Sequence, residues 1–188
     1  ASFAAAGSSF IQAEKILTNN TLLQLNLLEA THLHAPKARI LSICSADEYG
    51  LSLPEEIPID EAHPFRPVNP YAVSKISQDM LAHVFVVGYH LDIVRARPFN
   101  HIGERQTAAF AVAAFAQQIA QIEAQQLDRL KVGNLEGVRD FTDVKDMVKA
   151  YQLLMERGKT GEVYNLGSGQ GIAMQQVLDR LIKLSHQV

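Results

Sequence analysis

The fold is indicated by ARILSIC at residues 38–44, YAVSKISQDMLAHVFVVGY at residues 71–89 and DIVRAR at residues 92–97. The first and third are short runs between turn-forming residues, which is typical of strands buried on both faces of a sheet. In the second, apolar residues recur with the period of a helix, at Val73, Ile76, Met80, Val84 and Val87. A strand, a helix and a strand in this order predict a parallel βαβ unit.

Helical and strand patterns continue to alternate on both sides of this unit. The predicted helices cover residues 10–34, 108–125, 172–184 and, after a cap at Thr142 or Asp143, the residues up to Arg157. The remaining predicted elements are a strand around 130–132, a strand over 163–166 and a proline-rich loop over 50–70. This alternation favours an open α/β sheet with helices on both faces.

The composition is that of an ordinary globular protein. Of the 188 residues, 47% are hydrophobic and 20% are charged, which argues against a disordered chain or a disulfide scaffold. The formal net charge of −3 gives no general attraction to nucleic acid or to anionic membranes. No apolar run is long enough to cross a membrane, so a soluble protein is predicted.

Cysteine and histidine usage limits the chemistry further. Cys44 is the only cysteine, so an internal disulfide is impossible and a cytoplasmic location is predicted. The seven histidines are scattered without cysteine or carboxylate partners at ligand spacing, so no metal site is predicted. The glycines of GSGQG at residues 167–171 are misplaced for a dinucleotide fingerprint, which favours a tight strand-to-helix connection.

The catalytic candidates are Tyr71, Lys75 and Ser45. Tyr71 and Lys75 are four residues apart at the start of a helix, so their Cβ atoms are predicted to lie about 5–6 Å apart on one face. A neighbouring ammonium favours the phenolate and is predicted to lower the pKa of Tyr71 toward neutrality, which suits a general acid or base. Ser45 follows a buried strand, at the sheet edge where ligands collect. Taken alone, Tyr71 and Lys75 also fit a solvated helix face. Together with Ser45, they predict a catalytic site that reduces a carbonyl group.

Four segments carry a resemblance to a known family. They are SADEYG at 45–50, NPYAVSK at 69–75, RPFNHIG at 97–103 and RDFTD at 139–143. In this order and spacing, the chain resembles the extended short-chain dehydrogenase/reductases that act on nucleotide sugars. The resemblance covers essentially all 188 residues. Within the family, the segments PFNHIG and KVGNL with VRDFTDV are most similar to reductases of GDP-linked 4-keto-6-deoxy sugars.

The resemblance implies a Rossmann-type doubly wound parallel sheet. Residues 1–105 would form the second half of the NAD(P)-binding domain, with the catalytic residues, and residues 106–188 part of a smaller substrate domain. The strand at 163–166 would return to the main sheet. The family's glycine-rich dinucleotide turn is expected before Ala1, and more of the substrate domain is expected after Val188.

The resemblance also implies roles for individual residues. The reaction would be an NAD(P)H-dependent reduction, with NADPH favoured. Tyr71 would protonate the oxygen at C4 of the sugar, Ser45 would hydrogen-bond the same oxygen, and Lys75 would hold the nicotinamide ribose. Pro98 and Asn100 would contribute to cofactor binding together with Tyr71 and Lys75.

The implied partner is a GDP-sugar, with no nucleic acid and no membrane. The residues expected to contact it are Ser45, Asp47, Asn100, Lys131, Asn134 and Arg139. Without the resemblance, Arg139 and Asp140 would be interpreted as a surface ion pair. A homodimer is expected to form through the helix that carries Tyr71, where Phe85, Val86 and Val87 are apolar.

Two alternatives stay open at this point. A nucleotide-sugar dehydratase or 4-epimerase would keep the fold, but Ala46 lacks the acid of related dehydratases and Asp47 is one methylene shorter than their glutamate base. A chain without its cofactor-binding half could instead be a catalytically silent module that binds a sugar nucleotide.

Overall fold

The computed structural model describes residues 9–185. The helices are α1 (Ala13–His34), α2 (Pro70–Tyr89), α3 (Ala111–Glu123), α4 (Val144–Arg157) and α5 (Met174–Leu184). The strands are β1 (Ile40–Ile43), β2 (Ile93–Pro98), β3 (Asn100–Ile102), β4 (Val138–Asp143), β5 (Val163–Leu166) and β6 (Gly171–Ala173). None of the helices within residues 9–185 is long and apolar enough to cross a membrane.

The described residues divide into two compact units. The first holds the residues up to Phe99 and the segment Lys145–Leu166, and the second holds Asn100–Val144 and the residues from Gly167 onward. This division differs from the expected boundary between residues 105 and 106. The chain returns to the first unit because β5 pairs with β2 there.

The first unit contains a three-stranded parallel sheet in the order β1-β2-β5. Ile40 of β1 is aligned with Ile93 of β2, and Arg95 of β2 with Val163 of β5. Helix α2 connects β1 to β2, so the predicted parallel βαβ unit is confirmed. The apolar core beside the sheet is built from Leu28, Ala82, Phe85, Leu91 and Ile93.

Helix α2 buries a polar face. Asn69 caps the helix by accepting the N–H of Ala72 over 2.8 Å, and His90 ends it in the left-handed conformation. Toward α1, Ser74 accepts a hydrogen bond from Nδ2 of Asn20 over 2.9 Å. The apolar side that the sequence indicated is largely exposed, including Val73, Val84 and Val87. The buried side of α2 therefore carries polar groups in its first half, as far as Asp79, and joins the apolar core at Ala82 and Phe85.

The second unit combines short strands with two helices. β4 pairs in parallel with β3 and antiparallel with β6, so the sheet of this unit is mixed rather than parallel throughout. Helices α3 and α5 contact each other through an apolar cluster made of Phe115, Ile119, Met174 and Leu178.

The strand predicted around residues 130–132 is wrong. The backbone N–H and C=O of Lys131 are bonded to the side-chain amide of Gln118, over 2.7 and 3.1 Å. A side chain thus satisfies the groups that a neighbouring strand would otherwise pair. The strand of this region is instead β4, a few residues further along the chain.

Candidate active site

Ser45 follows strand β1 and is held through its backbone N–H and its side-chain hydroxyl. Its backbone N–H donates to Oε1 of Glu48 over 2.9 Å, and its Oγ accepts the N–H of Asp47 over 3.2 Å. Together with the side chain of Glu48, Ser45 forms a capping box on the short 3-10 helix Ala46–Glu48. Ser45 is therefore buried and fixed at the carboxyl end of a parallel strand, where α/β sheets bind their ligands.

Tyr71 and Lys75 lie one turn apart on the buried face of α2. Nζ of Lys75 is 5.9 Å from the centre of the Tyr71 ring and donates to the carbonyl oxygen of Ile43 over 2.9 Å. The side chain of Ser45 lies close enough to the phenol of Tyr71 to lower its pKa. The structure thus brings together the three residues that the sequence indicated as a catalytic group.

The pKa of Tyr71 is shifted in the opposite direction from the prediction. It is raised to about 12, mainly by burial; the side chain of Ser45 lowers it, and the charges of Asp47 and Glu48 raise it further. Burial also lowers the pKa of Lys75. The predicted shift toward neutrality is therefore wrong for this chain, because the loss of hydration around the phenol outweighs the effect of the ammonium.

A buried ionic network lies behind these residues. Asp79, two turns along α2 from Tyr71, accepts a hydrogen bond from Nη1 of Arg95 over 2.6 Å and from Nε of Arg97 over 2.7 Å. Nη1 of Arg97 also donates to the hydroxyl of Tyr49 over 2.9 Å. Each oxygen of the Asp79 carboxylate has its own cationic donor, which is the condition for keeping such charges out of water.

Glu48 connects this network to Ser45. Its side chain is fully buried, and its Oε2 is 3.4 Å from Nε of Arg97. The pKa of Glu48 is raised to about 8, first by burial and then by the charge and the hydrogen bond of Asp79. The N–H of Ser45 and the charge of Arg97 act in the opposite direction and lower the pKa of this carboxyl.

Cys44, Glu48 and Asp79 place possible metal ligands within 4.8 Å of one another. However, both carboxylate oxygens of Asp79 already accept hydrogen bonds from guanidinium groups. Burial, followed by the charges of Asp79 and Glu48, raises the pKa of the Cys44 thiol well above its usual value. A thiolate ligand is therefore disfavoured, and the cluster is part of the ionic network rather than a metal centre.

The predicted substrate residues of the second unit are exposed. Asn100 begins β3, Lys131 and Asn134 lie in the loop before β4, and Arg139 lies on β4. Nη1 of Arg139 donates to the carbonyl oxygen of the adjacent Val138 over 2.7 Å. These four side chains face solvent. Pro98, the remaining candidate, ends β2 in the first unit and is buried.

Asp140 holds the glycine-rich loop at residues 167–171 instead of pairing with Arg139. Its Oδ1 accepts the N–H of Ser168 over 2.9 Å and the Oγ hydroxyl over 2.6 Å, and its Oδ2 accepts the N–H of Gly169 over 2.7 Å. The interpretation of Arg139 and Asp140 as a surface ion pair is therefore wrong. The loop leads through β6 into α5, which fits its interpretation as a strand-to-helix connection.

Comparison with known proteins places the chain in a family. The sequence profile described as GDP-mannose 4,6 dehydratase matches residues 1–187. The chain belongs to this family. The resemblance drawn from the four sequence segments is thereby confirmed.

Individual relatives span the reductases, dehydratases and epimerases. GDP-6-deoxy-D-mannose reductase from Pseudomonas aeruginosa is 36% identical over 94% of this chain and 59% of its own length. The structure of RMD from Pseudomonas aeruginosa, complexed with NADPH, has a TM-score of 0.93 and 36% identity and covers 98% of this chain and 63% of that one. UDP-glucose 4-epimerase from Corynebacterium glutamicum is 27% identical over 92% of this chain and 55% of its own length. The chain therefore spans about three fifths of the length of these relatives. The structural similarity also confirms the Rossmann-type fold class.

In this member of the GDP-mannose 4,6 dehydratase family, sequence analysis missed the ionic network. A signal was present, because Arg95 and Arg97 are two residues apart in a buried strand and their side chains lie on the same face. Asp79 lies four residues after Lys75, on the helix face of Tyr71. Buried cations need a partner, and the same-face carboxylate of α2 supplies it.

Proposed function

We propose that the chain carries the catalytic residues of an enzyme that uses NADPH, or NADH in its place, to reduce the 4-keto group of a 4-keto-6-deoxy sugar nucleotide. The proposed substrate is GDP-4-keto-6-deoxy-mannose, and the product is GDP-6-deoxy-mannose. The observation that carries the proposal is the buried group of Ser45, Tyr71 and Lys75, in which Nζ of Lys75 is 5.9 Å from the centre of the Tyr71 ring. The similarity to GDP-6-deoxy-D-mannose reductase supports this class of substrate.

The donor groups of Lys75 fit the ribose of a nicotinamide cofactor. The buried ammonium has three N–H donors, and the carbonyl oxygen of Ile43 takes one of them. Ribose hydroxyls are suitable acceptors for the others. When bound, the reduced nicotinamide supplies the hydride that is added to C4. Pro98 and Asn100 are the further residues proposed to contact this cofactor.

Tyr71 is the acid in the proposed reaction. Since its pKa is raised to about 12, the phenol is protonated at neutral pH and has a proton to give to the oxygen at C4. Ser45 donates a hydrogen bond to the same oxygen, so two hydroxyl groups stabilise the negative charge that develops there.

Further residues are proposed to contact the substrate. Asp47 and Ser45 would contact the sugar, and Asn100 would contact the sugar or the diphosphate. Arg139 has an exposed planar guanidinium, which suits a phosphate group. Lys131 and Asn134 would lie near the nucleoside.

A homodimer is part of the proposal. Of the residues expected at this interface, Val87 is 63% exposed, whereas Phe85 is 6% exposed and belongs to the apolar core, so its predicted place in the interface is wrong. Val84 of α2 is 55% exposed, and Leu22 and Leu27 of α1 are 47% and 48% exposed. Apolar side chains that face water on two adjacent helices are suited to cover the same surface of a second copy. Light scattering should give twice the mass of the monomer, and a persistent monomer would contradict this point.

A dehydratase reaction is the second candidate function. The family profile carries that activity in its description, and a GDP-mannose 4,6 dehydratase from Homo sapiens is 32% identical over 60% of this chain and 32% of its own length. Against it, Ala46 has no acidic group and Asp47 is shorter than glutamate. A misplacement of about 1 Å in a catalytic group is expensive, so the reductase reaction is favoured. The exposed guanidinium of Arg139, which suits a phosphate group, also fits a catalytically silent module that binds a sugar nucleotide.

The deciding experiment is an assay of the purified chain with NADPH and GDP-4-keto-6-deoxy-mannose. Because the relatives are longer, the intact mass of the protein is measured first and compared with the 20.7 kDa of these residues. Reduction adds two hydrogens to the sugar nucleotide, whereas dehydration of GDP-mannose removes water, so the mass of the product identifies the reaction.

The variant Tyr71→Phe tests the proposed acid. It removes only the hydroxyl, and turnover should fall by about 10²- to 10⁴-fold, the usual contribution of general acid catalysis. Binding of GDP-mannose, measured by calorimetry, should stay the same. Unchanged turnover in Tyr71→Phe would rule out the mechanism, and nucleotide binding without turnover in the unaltered chain would favour the silent module.

A further inference from the structure

Glu48 lies directly behind Ser45, one of the proposed catalytic residues. Its side chain and that of Asp79 are both fully buried. Oε1 of Glu48 accepts the backbone N–H of Ser45 over 2.9 Å. The carboxyl groups of Glu48 and Asp79 lie within 4.8 Å of each other. Two acidic groups therefore share one water-free space behind the catalytic serine.

The second oxygen of Glu48 has no donor of its own. Oε2 accepts no hydrogen bond from any described residue. Its nearest cation is Nε of Arg97 at 3.4 Å, but that N–H is directed to Oδ2 of Asp79 over 2.7 Å. An ionised Glu48 would leave a buried negative oxygen unsatisfied beside a second carboxylate. A proton on Oε2 removes both problems, because the resulting O–H becomes a donor to Asp79.

We propose that Glu48 is a positioning residue in the form of a neutral carboxylic acid, which donates a hydrogen bond to Asp79 and fixes the backbone of Ser45 with its other oxygen. The inference rests on the proposed function, since Ser45 matters for turnover only if it binds the reacting oxygen. The direction of the Glu48 pKa shift, upward to about 8, supports a protonated group at neutral pH.

The position of Glu48 makes its proton relevant to Tyr71. The titratable and charged groups that face Glu48 are Cys44, Tyr71, Lys75, Asp79 and Arg97. When Glu48 loses its proton, its new charge raises the pKa of Tyr71 further, which makes the phenol a weaker acid. Turnover should therefore decline as the pH rises through the pKa of Glu48.

The protonation state can be tested without any activity assay. Glutamate labelled with ¹³C at the side-chain carboxyl is incorporated into the chain, and the resonances are followed by NMR from about pH 4 to about pH 10, a range that covers ordinary and raised carboxyl pKa values. One resonance should titrate near the raised pKa of about 8. It should be absent from Glu48→Gln and present in Glu55→Gln, the matched control in an exposed loop. If the resonance lost in Glu48→Gln titrates in the ordinary acidic range, the neutral carboxylic acid is ruled out.

The positioning role is tested by comparing two substitutions. In Glu48→Gln, the amide oxygen still accepts the N–H of Ser45 and the amide nitrogen can donate to Asp79, as the carboxylic acid does. Glu48→Leu has a similar size but neither group, and its kcat should fall by about 10- to 100-fold with little change in KM, because a displaced catalytic group acts on the chemical step. Glu48→Gln should recover most of this loss, and its kcat should no longer decline above about pH 8.

The possible results separate this inference from the proposed function. Equal losses in Glu48→Gln and Glu48→Leu, or an unchanged alkaline decline in Glu48→Gln, would overturn the positioning role. If the unaltered chain has no turnover, the proposed function fails while the NMR titration still decides the protonation of Glu48. Should Glu48→Leu fail to fold, the pH profile of Glu48→Gln decides the positioning role alone.

Discussion

The predicted catalytic residues of the first unit and the predicted substrate residues of the second unit are held in different ways. Ser45, Tyr71 and Lys75 are buried. Contacts with the 3-10 helix Ala46–Glu48 and with β1 fix Ser45 and Lys75. Arg139 and Lys131 are exposed and bonded mainly to nearby backbone or to one side chain. The difference indicates that side chains which take part in a chemical step need a rigid position. Side chains that bind a charged ligand can stay solvated until the ligand binds.

The largest effect on stability is expected from the support of the first unit. Asp79→Asn leaves the guanidinium groups of Arg95 and Arg97 buried without their carboxylate, which should cost about 3–5 kcal/mol of unfolding free energy. Urea unfolding measures this loss. The control is Asp146→Asn, whose pair with Lys149 over 2.9 Å is exposed and should change stability by less than about 1 kcal/mol. Equal losses in the two variants would remove the contrast between buried and exposed ion pairs.

The proton on Glu48 should make stability depend on pH. Its pKa in the folded chain is raised to about 8 from the ordinary value of 4.5, so the folded state binds this proton more tightly than the unfolded state. The stabilisation is complete below about pH 4.5 and is lost as the pH rises to about 8. Unfolding measured across this range should show a steeper decline in the unaltered chain than in Glu48→Gln. The same slope in both would mean that Glu48 titrates normally.

A smaller and more local effect is expected in the second unit. Asp140→Ala removes the acceptor of three hydrogen bonds from Ser168 and Gly169, which should cost about 1–3 kcal/mol. Hydrogen exchange should speed up at the amides of these two residues and stay the same at β1. Faster exchange throughout the first unit would show that the stability of the loop is coupled to that of the first unit.

The smallest effect on folding is expected at Arg139. Arg139→Lys keeps the charge but loses the planar pair of donors, so KM for the sugar nucleotide should rise by about tenfold. Stability should change by less than about 0.5 kcal/mol, because the side chain is exposed. A fall in kcat without a change in KM would contradict the assignment of Arg139 to binding.

The sequence was most informative where strands are buried and helices are long. β1, α2 and β2 were predicted within two residues of their ends, because continuous apolar runs and a helical period leave few other choices. β3, β4 and β6 were missed, since they are short, partly exposed and without a clear alternation. The strand expected at 130–132 failed because Gln118 satisfies the backbone there, a tertiary contact that no local pattern contains.

The candidate site was partly predictable for the same reason. The spacing of Tyr71 and Lys75 fixes their shared helix face, and the strand end fixes Ser45. The pKa of Tyr71 was predicted in the wrong direction, because the charge of Lys75 can be read from spacing and the burial of the phenol cannot. Sequence analysis assigned no role to Glu48, because its surroundings depend on Asp79 and Arg97, which lie far away in sequence.

The thiol of Cys44 can report on local opening of the strand end beside Ser45. It is the only thiol of the chain, it is 2% exposed, and burial raises its pKa well above the usual value. Alkylating reagents therefore modify the folded chain only when β1 opens and the thiol reaches water. The rate of labelling, compared with that of the denatured chain, gives the free energy of this opening directly, with no added probe and no substituted residue.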